Sequence, residues 1–106
     1  MPTLEVEAWT ALGDPTRREI FKRLGDRPLP VGRIADGLPV SRPAVSQHLK
    51  VLKNARLVVD ERSGNRRIYR VDPHGIRALR ADLEQFWTKT LAAYKEVVER
   101  SMEEDG

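Results

Sequence analysis

Apolar residues recur along this chain at helical spacing, then at strand spacing, then at helical spacing again. Leu4, Ala8, Trp9 and Leu12 predict a short first helix that Gly13 ends. Asp14-Pro15 is a start signal, an acid that caps and a proline that fits the first turn, and the helix it opens runs through Ile20, Phe21 and Leu24 to Gly25. A turn containing Pro28 and Pro30 leads to Val31, Ile34, Ala35 and Leu38, the i, i+3, i+4, i+7 set of a third helix broken by Gly37 and Pro39. Ser41 then caps a fourth, the two helices being joined by a turn of the tightness seen in a helix-turn-helix. After Asn54 the pattern shortens: Leu57-Val58-Val59, a Gly/Asn-rich tip at Gly64-Asn65 flanked by arginines, then Ile68, Tyr69 and Val71, which predict a β-hairpin. Asp72-Pro73 repeats the start signal and opens a long helix with Ile76, Leu79, Leu83, Phe86, Trp87, Leu91, Tyr94, Val98 and Met102 on one stripe, residues 101–106 being expected to fray.

The fourth helix carries the clearest division of faces. At about 100° per residue, Val45, Leu49 and Leu52 fall in one narrow arc, while Pro43, Gln47, Lys50 and Asn54 point the other way with Ser46 beside them. Amide and hydroxyl groups opposite a buried edge suit the DNA major groove, where they read base edges while lysine meets phosphate. The expected fold is therefore mainly α with a small β-hairpin wing, one winged helix-turn-helix domain over 1–106. Its reading helix spans about 41–54, its wing about 57–71 and its last helix about 73–102. That last stripe is too long for so small a domain to cover. With the first helix it predicts a homodimer interface of Leu4, Trp9, Leu12, Leu79, Leu83, Phe86, Trp87, Leu91 and Tyr94.

Charge sharpens the picture. The net charge of +3 hides a segregation: residues 41–70 carry Arg42, Lys50, Lys53, Arg56, Arg62, Arg66, Arg67 and Arg70 against only Asp60 and Glu61, whereas residues 71–106 are net acidic. A basic strip on the segment that holds the polar helix is the electrostatic footprint of a nucleic-acid surface. Lys50, Lys53, Arg62, Arg66 and Arg67 are expected to neutralise phosphates, Arg66 or Arg67 reaching the minor groove from the wing tip beside Asn65, and Arg42, Ser46 and Gln47 to discriminate bases.

Other chemistry is thin. The chain has no cysteine, which excludes disulfides, thiolate metal sites and cysteine nucleophiles. No apolar run approaches the roughly 20 residues of a membrane helix and no signal-peptide pattern opens the chain, so a cytoplasmic protein is expected. Ser46 and His48, two positions apart on a helix, point about 200° away from each other and cannot form a nucleophile–base pair. No phosphate loop or carboxylate dyad is visible, so no enzyme and no cofactor is expected. The rival readings are a winged helix used for protein contact and a DNA-binding activator or nucleoid-like factor.

Element order and motifs together resemble the ArsR/SmtB family of winged-helix repressors. Leu12-Gly13-Asp14-Pro15-Thr16-Arg17 is similar to the family's opening element, Leu38 to Leu49 to its reading-helix signature, and Arg56-Leu57-Val58 with Gly64 and Tyr69 to its wing. The resemblance spans about residues 4–100. It implies a homodimer that blocks transcription from a palindromic operator, often its own, with DNA contacts on Ser41, Arg42, Pro43, Ser46 and Gln47. His48, nearer the apolar side, is read as a packing residue.

The departures from the family are informative. Metal-sensing relatives carry a Cys-x-Cys pair where this chain has Pro30 and Gly32, which offer no donor side chain. A second family site would use Asp72 and His74, but its later positions hold Gln85 and Thr88, an incomplete set for zinc. Asp72 and His74 are therefore only weak metal candidates, and the chain resembles the metal-independent branch. The signal that releases DNA, whether a small molecule, a partner protein or abundance, is not written in these residues.

Overall fold

The structure, a computed structural model, describes residues 4–105, with side chains from 7 to 104. In chain order the elements are α1 (Leu4–Ala11), α2 (Pro15–Asp26), β1 (Leu29–Pro30), α3 (Val31–Ala35), α4 (Arg42–Asn54), β2 (Val58–Ser63), β3 (Arg66–Val71) and α5 (Pro73–Asp105). Both predicted start signals work as caps. Asp14 accepts a hydrogen bond from Arg17 N at 3.0 Å, and Asp72 accepts one from His74 N at 2.9 Å. Each satisfies an amide that the first helical turn leaves without a partner.

Several boundaries differ from the sequence expectation. α2 continues through Gly25 to Asp26. α3 stops at Ala35 rather than Leu38, because Asp36 turns extended and Gly37 takes φ +79, although Leu38 still packs on the core. Leu29-Pro30, expected as a turn, is a short edge strand whose Leu29 pairs with Tyr69 and Pro30 with Ile68. Proline is tolerated there because an edge strand need not donate on both sides. The last helix extends to Asp105, past the expected end near 102.

The sheet order is β1-β3-β2, all antiparallel. The wing turns in two residues, Gly64 at φ +62 and Asn65 outside the left-handed region, the arrangement of a type II′ turn. Alternation along β3 sends Tyr69 and Val71 to the core and Arg66, Ile68 and Arg70 to the opposite face. One hydrophobic cluster results, with Ile20, Ile34, Val45, Leu49, Leu52, Leu57 and Val58 as its largest fully buried side chains. Every element from α1 to α5 contributes to it or packs on it.

Backbone contacts lock the region after α4. Arg56 adopts φ 60, so that Leu57 N bonds Leu52 O at 3.0 Å and Arg56 N bonds Lys53 O at 3.0 Å. This is a Schellman end, and the apolar pair that usually accompanies it, Leu52 and Leu57, is fully buried. Gly75 in the first turn of α5 presses on the same segment: a Cβ there would lie 1.9 Å from Arg56 O. Asp72 N adds a hydrogen bond to Leu57 O at 2.9 Å.

The wing is tied to α4 by Asp60. Its carboxylate, 5% exposed, meets Lys53 Nζ and Arg67 Nη1, each at 2.7 Å. The Lys53 hydrogen bond, with Arg67 behind it, holds the Asp60 carboxyl below the usual carboxylate range despite burial.

Gly75→Ala should cost about 3 kcal/mol, since the clash is with backbone and neither helix can yield. Gly25→Ala, which meets nothing within 4 Å, should be neutral or stabilising by about 0.5 kcal/mol. Urea denaturation at fixed protein concentration measures both, and equal effects would refute the packing argument. Because the folded Asp60 pKa is depressed, its contribution is present above the unfolded pKa of about 3.9 and lost as pH falls through the folded value. Asp60→Asn should therefore cost about 1 kcal/mol at neutral pH, a modest loss because both cations are half-exposed. The gap from wild type should close in acid; a gap unchanged by acid would rule out the ionised carboxylate as its source.

Candidate nucleic-acid interface

α4 is presented to solvent along one side only. Ser41 caps it, its Oγ accepting from Ala44 N at 3.3 Å, and Pro43 fits the first turn because no amide is needed there. Val45, Leu49 and Leu52 are fully buried, which leaves Arg42, Pro43, Ser46, Gln47 and Lys50 exposed. Among the described residues the side chains of Gln47, Ser46 and Lys50 have no hydrogen-bond or ion-pair partner, so their polar groups are available to a ligand. Ser41 keeps its hydroxyl hydrogen to donate while its oxygen serves the cap.

His48 is half-buried, its Nδ1 lying 3.5 Å from Arg17 Nη1. Arg17 also donates from Nε to Ala11 O at 2.6 Å. The same residue thus joins the end of α1, the start of α2 and the buried flank of α4, and His48 faces this junction rather than the open side. Arg17 hydrogen-bonding through its backbone holds the Asp14 carboxyl below its ordinary range. Arg23 performs a similar service for α3, donating to Ile34 O at 2.9 Å and to Asp36 O.

The cations expected to act alike are placed in three different ways. Lys50 and Arg62 are exposed and have no side-chain partner among the described residues, and Asn65 is exposed at the wing tip. Lys53 and Arg67 share Asp60, so the trio contributes one net positive charge, and the bridge keeps the Arg67 guanidinium's pKa above its ordinary value. Arg66 is turned toward α3, where it lines a groove with Gly32, Arg33 and Arg42. Arg67 is therefore committed to Asp60, whereas Arg66, directly after the wing turn, is exposed and has no side-chain partner among the described residues. Sequence reasoning also missed Arg33, whose helical position carries no motif; only the β1–β3 pairing reveals its neighbours.

The second exposed surface is on α5. Trp9, Leu83, Phe86, Trp87, Leu91 and Tyr94 lie open, with Trp87 50% and Tyr94 66% exposed. Phe86 and Trp87 meet edge-to-face with centroids 5.7 Å apart, and Trp9 Nε1 donates to Asp82. Val97 extends the stripe and was not singled out from the sequence. Leu79 and Leu12, expected on this surface, are instead taken up by their own core because α1 packs on the first part of α5. The side chain of Leu4 lies outside the described residues.

Metal chemistry finds little to work with. Among the described residues no group of three or more His, Asp or Glu side chains is clustered for a metal, and Asp72 already caps α5. No helix is long and apolar enough to cross a membrane.

Comparison with known proteins converges on one family. A helix-turn-helix domain model matches residues 12–61. The HTH-type transcriptional regulator Rv2034 of Mycobacterium tuberculosis is 59% identical over 92 residues, covering 87% of this chain and 86% of that protein. An ArsR-like transcriptional regulator from Rhodococcus sp. RHA1 has a similar structure, with a TM-score of 0.72 and 32% identity over 89% of this chain and 92% of its own. The homodimeric winged helix-turn-helix DNA-binding domain Mb0332 of Mycobacterium bovis, a possible ArsR-family transcriptional regulator, superposes with a TM-score of 0.64 at 26% identity, over 80% of this chain and 79% of its own. With a capped reading helix, a tight α3–α4 turn and a wing in place, the chain belongs to the ArsR/SmtB family of winged helix-turn-helix transcriptional regulators and is a DNA-binding regulator rather than an enzyme.

Proposed function

We propose that two copies of this chain pair through the open stripe of α5 and the adjoining Trp9 face, presenting two α4 helices to a palindromic operator and repressing transcription from it in the cytoplasm. The observation that carries the reading is the division of α4: a fully buried edge of Val45, Leu49 and Leu52, opposite exposed Ser46, Gln47 and Lys50, whose side chains have no partner among the described residues. A two-fold dimer sets two such helices in successive major grooves, about 34 Å apart. Gln47 and Ser46 discriminate bases, Ser41, Arg42 and Pro43 approach the backbone at the helix start, and Lys50, Arg62 and Asn65 hold the flanks. Lys53 and Arg67 act mainly through Asp60, orienting the wing relative to α4.

Dimerisation is supported by the size of the exposed apolar surface on α5, which water would otherwise cover, and by the homodimer reported for the Mycobacterium bovis domain. The repressor acts independently of metal in this reading, since Pro30 and Gly32 supply no ligand atoms from their side chains and Asp72 is committed to its cap.

Gln47→Ala should lose about 1–3 kcal/mol at particular operator base pairs and leave random DNA little affected. Lys50→Ala should weaken cognate and random duplexes alike and lower the salt slope by about one. Anisotropy titrations over a salt series separate the two, and identical behaviour would remove the division between reader and anchor. Leu91→Asp should leave the monomer folded, because that residue stands clear of the core, yet weaken self-association by about 2–4 kcal/mol. Sedimentation equilibrium reads this directly; an unchanged dimer would move the interface off α5.

A further inference from the structure

Beside the start of α4 a groove of about 230 Å³ is lined by Pro30, Gly32, Arg33, Asp36, Arg42 and Arg66. A neighbouring cavity of about 210 Å³ continues it past Arg27 and Leu29. Three elements deliver its cations: Arg33 from α3, Arg42 from the first turn of α4 and Arg66 from β3. The register explains the meeting. Pro30 pairs with Ile68, which sets the start of α3 beside β3, and Gly32, Arg33 and Arg66 line one groove there.

None of the three guanidiniums has a hydrogen bond or ion pair among the described residues, and Asp36 is the single carboxylate on the groove. In the same region Lys53, Arg67 and Arg70 are paired with carboxylates, whereas Lys50 and Arg62, like Arg33, Arg42 and Arg66, have no partner among the described residues. Arg42 crosses over Gly32, where a Cβ would come 2.8 Å from its Nη2. The missing side chain at position 32 is what lets that guanidinium lie in the groove. Planar donors from three separate elements lining one groove, with an excess of positive charge and no internal partner among the described residues, suit the charge and hydrogen-bonding needs of a phosphate.

We propose that this groove is a phosphate-binding site in which Arg33, Arg42 and Arg66 clamp one phosphate group. Two sources share that chemistry. One is a backbone phosphate of the operator flank, an assignment that rests on the DNA-binding reading and follows from the groove opening beside the exposed start of α4. The other is a free phosphorylated small molecule, whose occupancy would withdraw Arg42 and Arg66 from DNA.

Arg33→Ala and Gly32→Ala are the test variants. Alanine suits a helix better than glycine, and the added methyl meets only the flexible end of Arg42, so Gly32→Ala should retain its Tm while displacing the clamp. Anisotropy on cognate and random duplexes over a salt series is one arm. Calorimetry with pyrophosphate, without DNA, is the other. If the phosphate belongs to DNA, both variants bind both duplexes about five- to tenfold more weakly at 0.1 M salt, with a slope lower by about one. Pyrophosphate then gives no binding. If it belongs to a small molecule, pyrophosphate binds wild type, is lost in both variants, and competes with the duplex beyond its effect on ionic strength. A wild-type slope in both variants, with pyrophosphate either unbound or bound equally by all three proteins, overturns the clamp. Should wild type bind no duplex, the DNA reading fails, and the pyrophosphate titration alone decides the clamp.

Discussion

The close approach of Gly75 to the Arg56 carbonyl is the constraint on which the rest of the arrangement depends. It sets the first turn of α5 directly on the left-handed end of α4, with Leu57 held between them by hydrogen bonds to Leu52 and Asp72. The helix that reads and the helix that carries the exposed apolar stripe are thereby joined through backbone, with no intervening side chain to flex. A dimer built on α5 consequently fixes where α4 points. Spacing between two reading helices becomes a property of the junction rather than of the wing or the loops.

Burial and exposure divide the molecule along its length. The core draws on every helix, yet its large fully buried side chains all come from α2, α3, α4 and the segment leading into and opening β2. Beyond Leu79 the long helix contributes almost nothing to it, and its aromatic residues face water in a single chain. A surface of that kind is stable only when something apolar covers it, and a second copy supplies the same stripe in return.

Charge is distributed with similar economy. Asp60 holds two cations in the angle between α4 and the wing, converting residues that looked like phosphate contacts into a brace. Arg17 and Arg23 are spent on carbonyls at the ends of neighbouring helices. Among the described residues the cations without a partner include Arg42 and Lys50 on the open side of α4, Arg62 on the wing, and Arg33 and Arg66 around Gly32.

Local chemistry was legible in the amino-acid sequence by itself. Asp14-Pro15, Ser41 and Asp72-Pro73 mark helix starts because capping needs only residues close in the chain, and the Val45/Leu49/Leu52 arc identifies the buried edge of α4 because helical period is a local property. Those signals sufficed for the winged helix-turn-helix and for the outward set on α4. Tertiary structure decided the rest. Leu29-Pro30 becomes a strand only because Tyr69 and Ile68 are there to pair with it, and that pairing sets α3 beside the wing, where Gly32, Arg33 and Arg66 line one groove. Leu79 is core and Leu91 surface although both sit on one helical stripe, since α1 covers only the first part of α5. Periodicity says which residues share a face; what lies opposite that face depends on residues distant in the chain, and only folding brings them together.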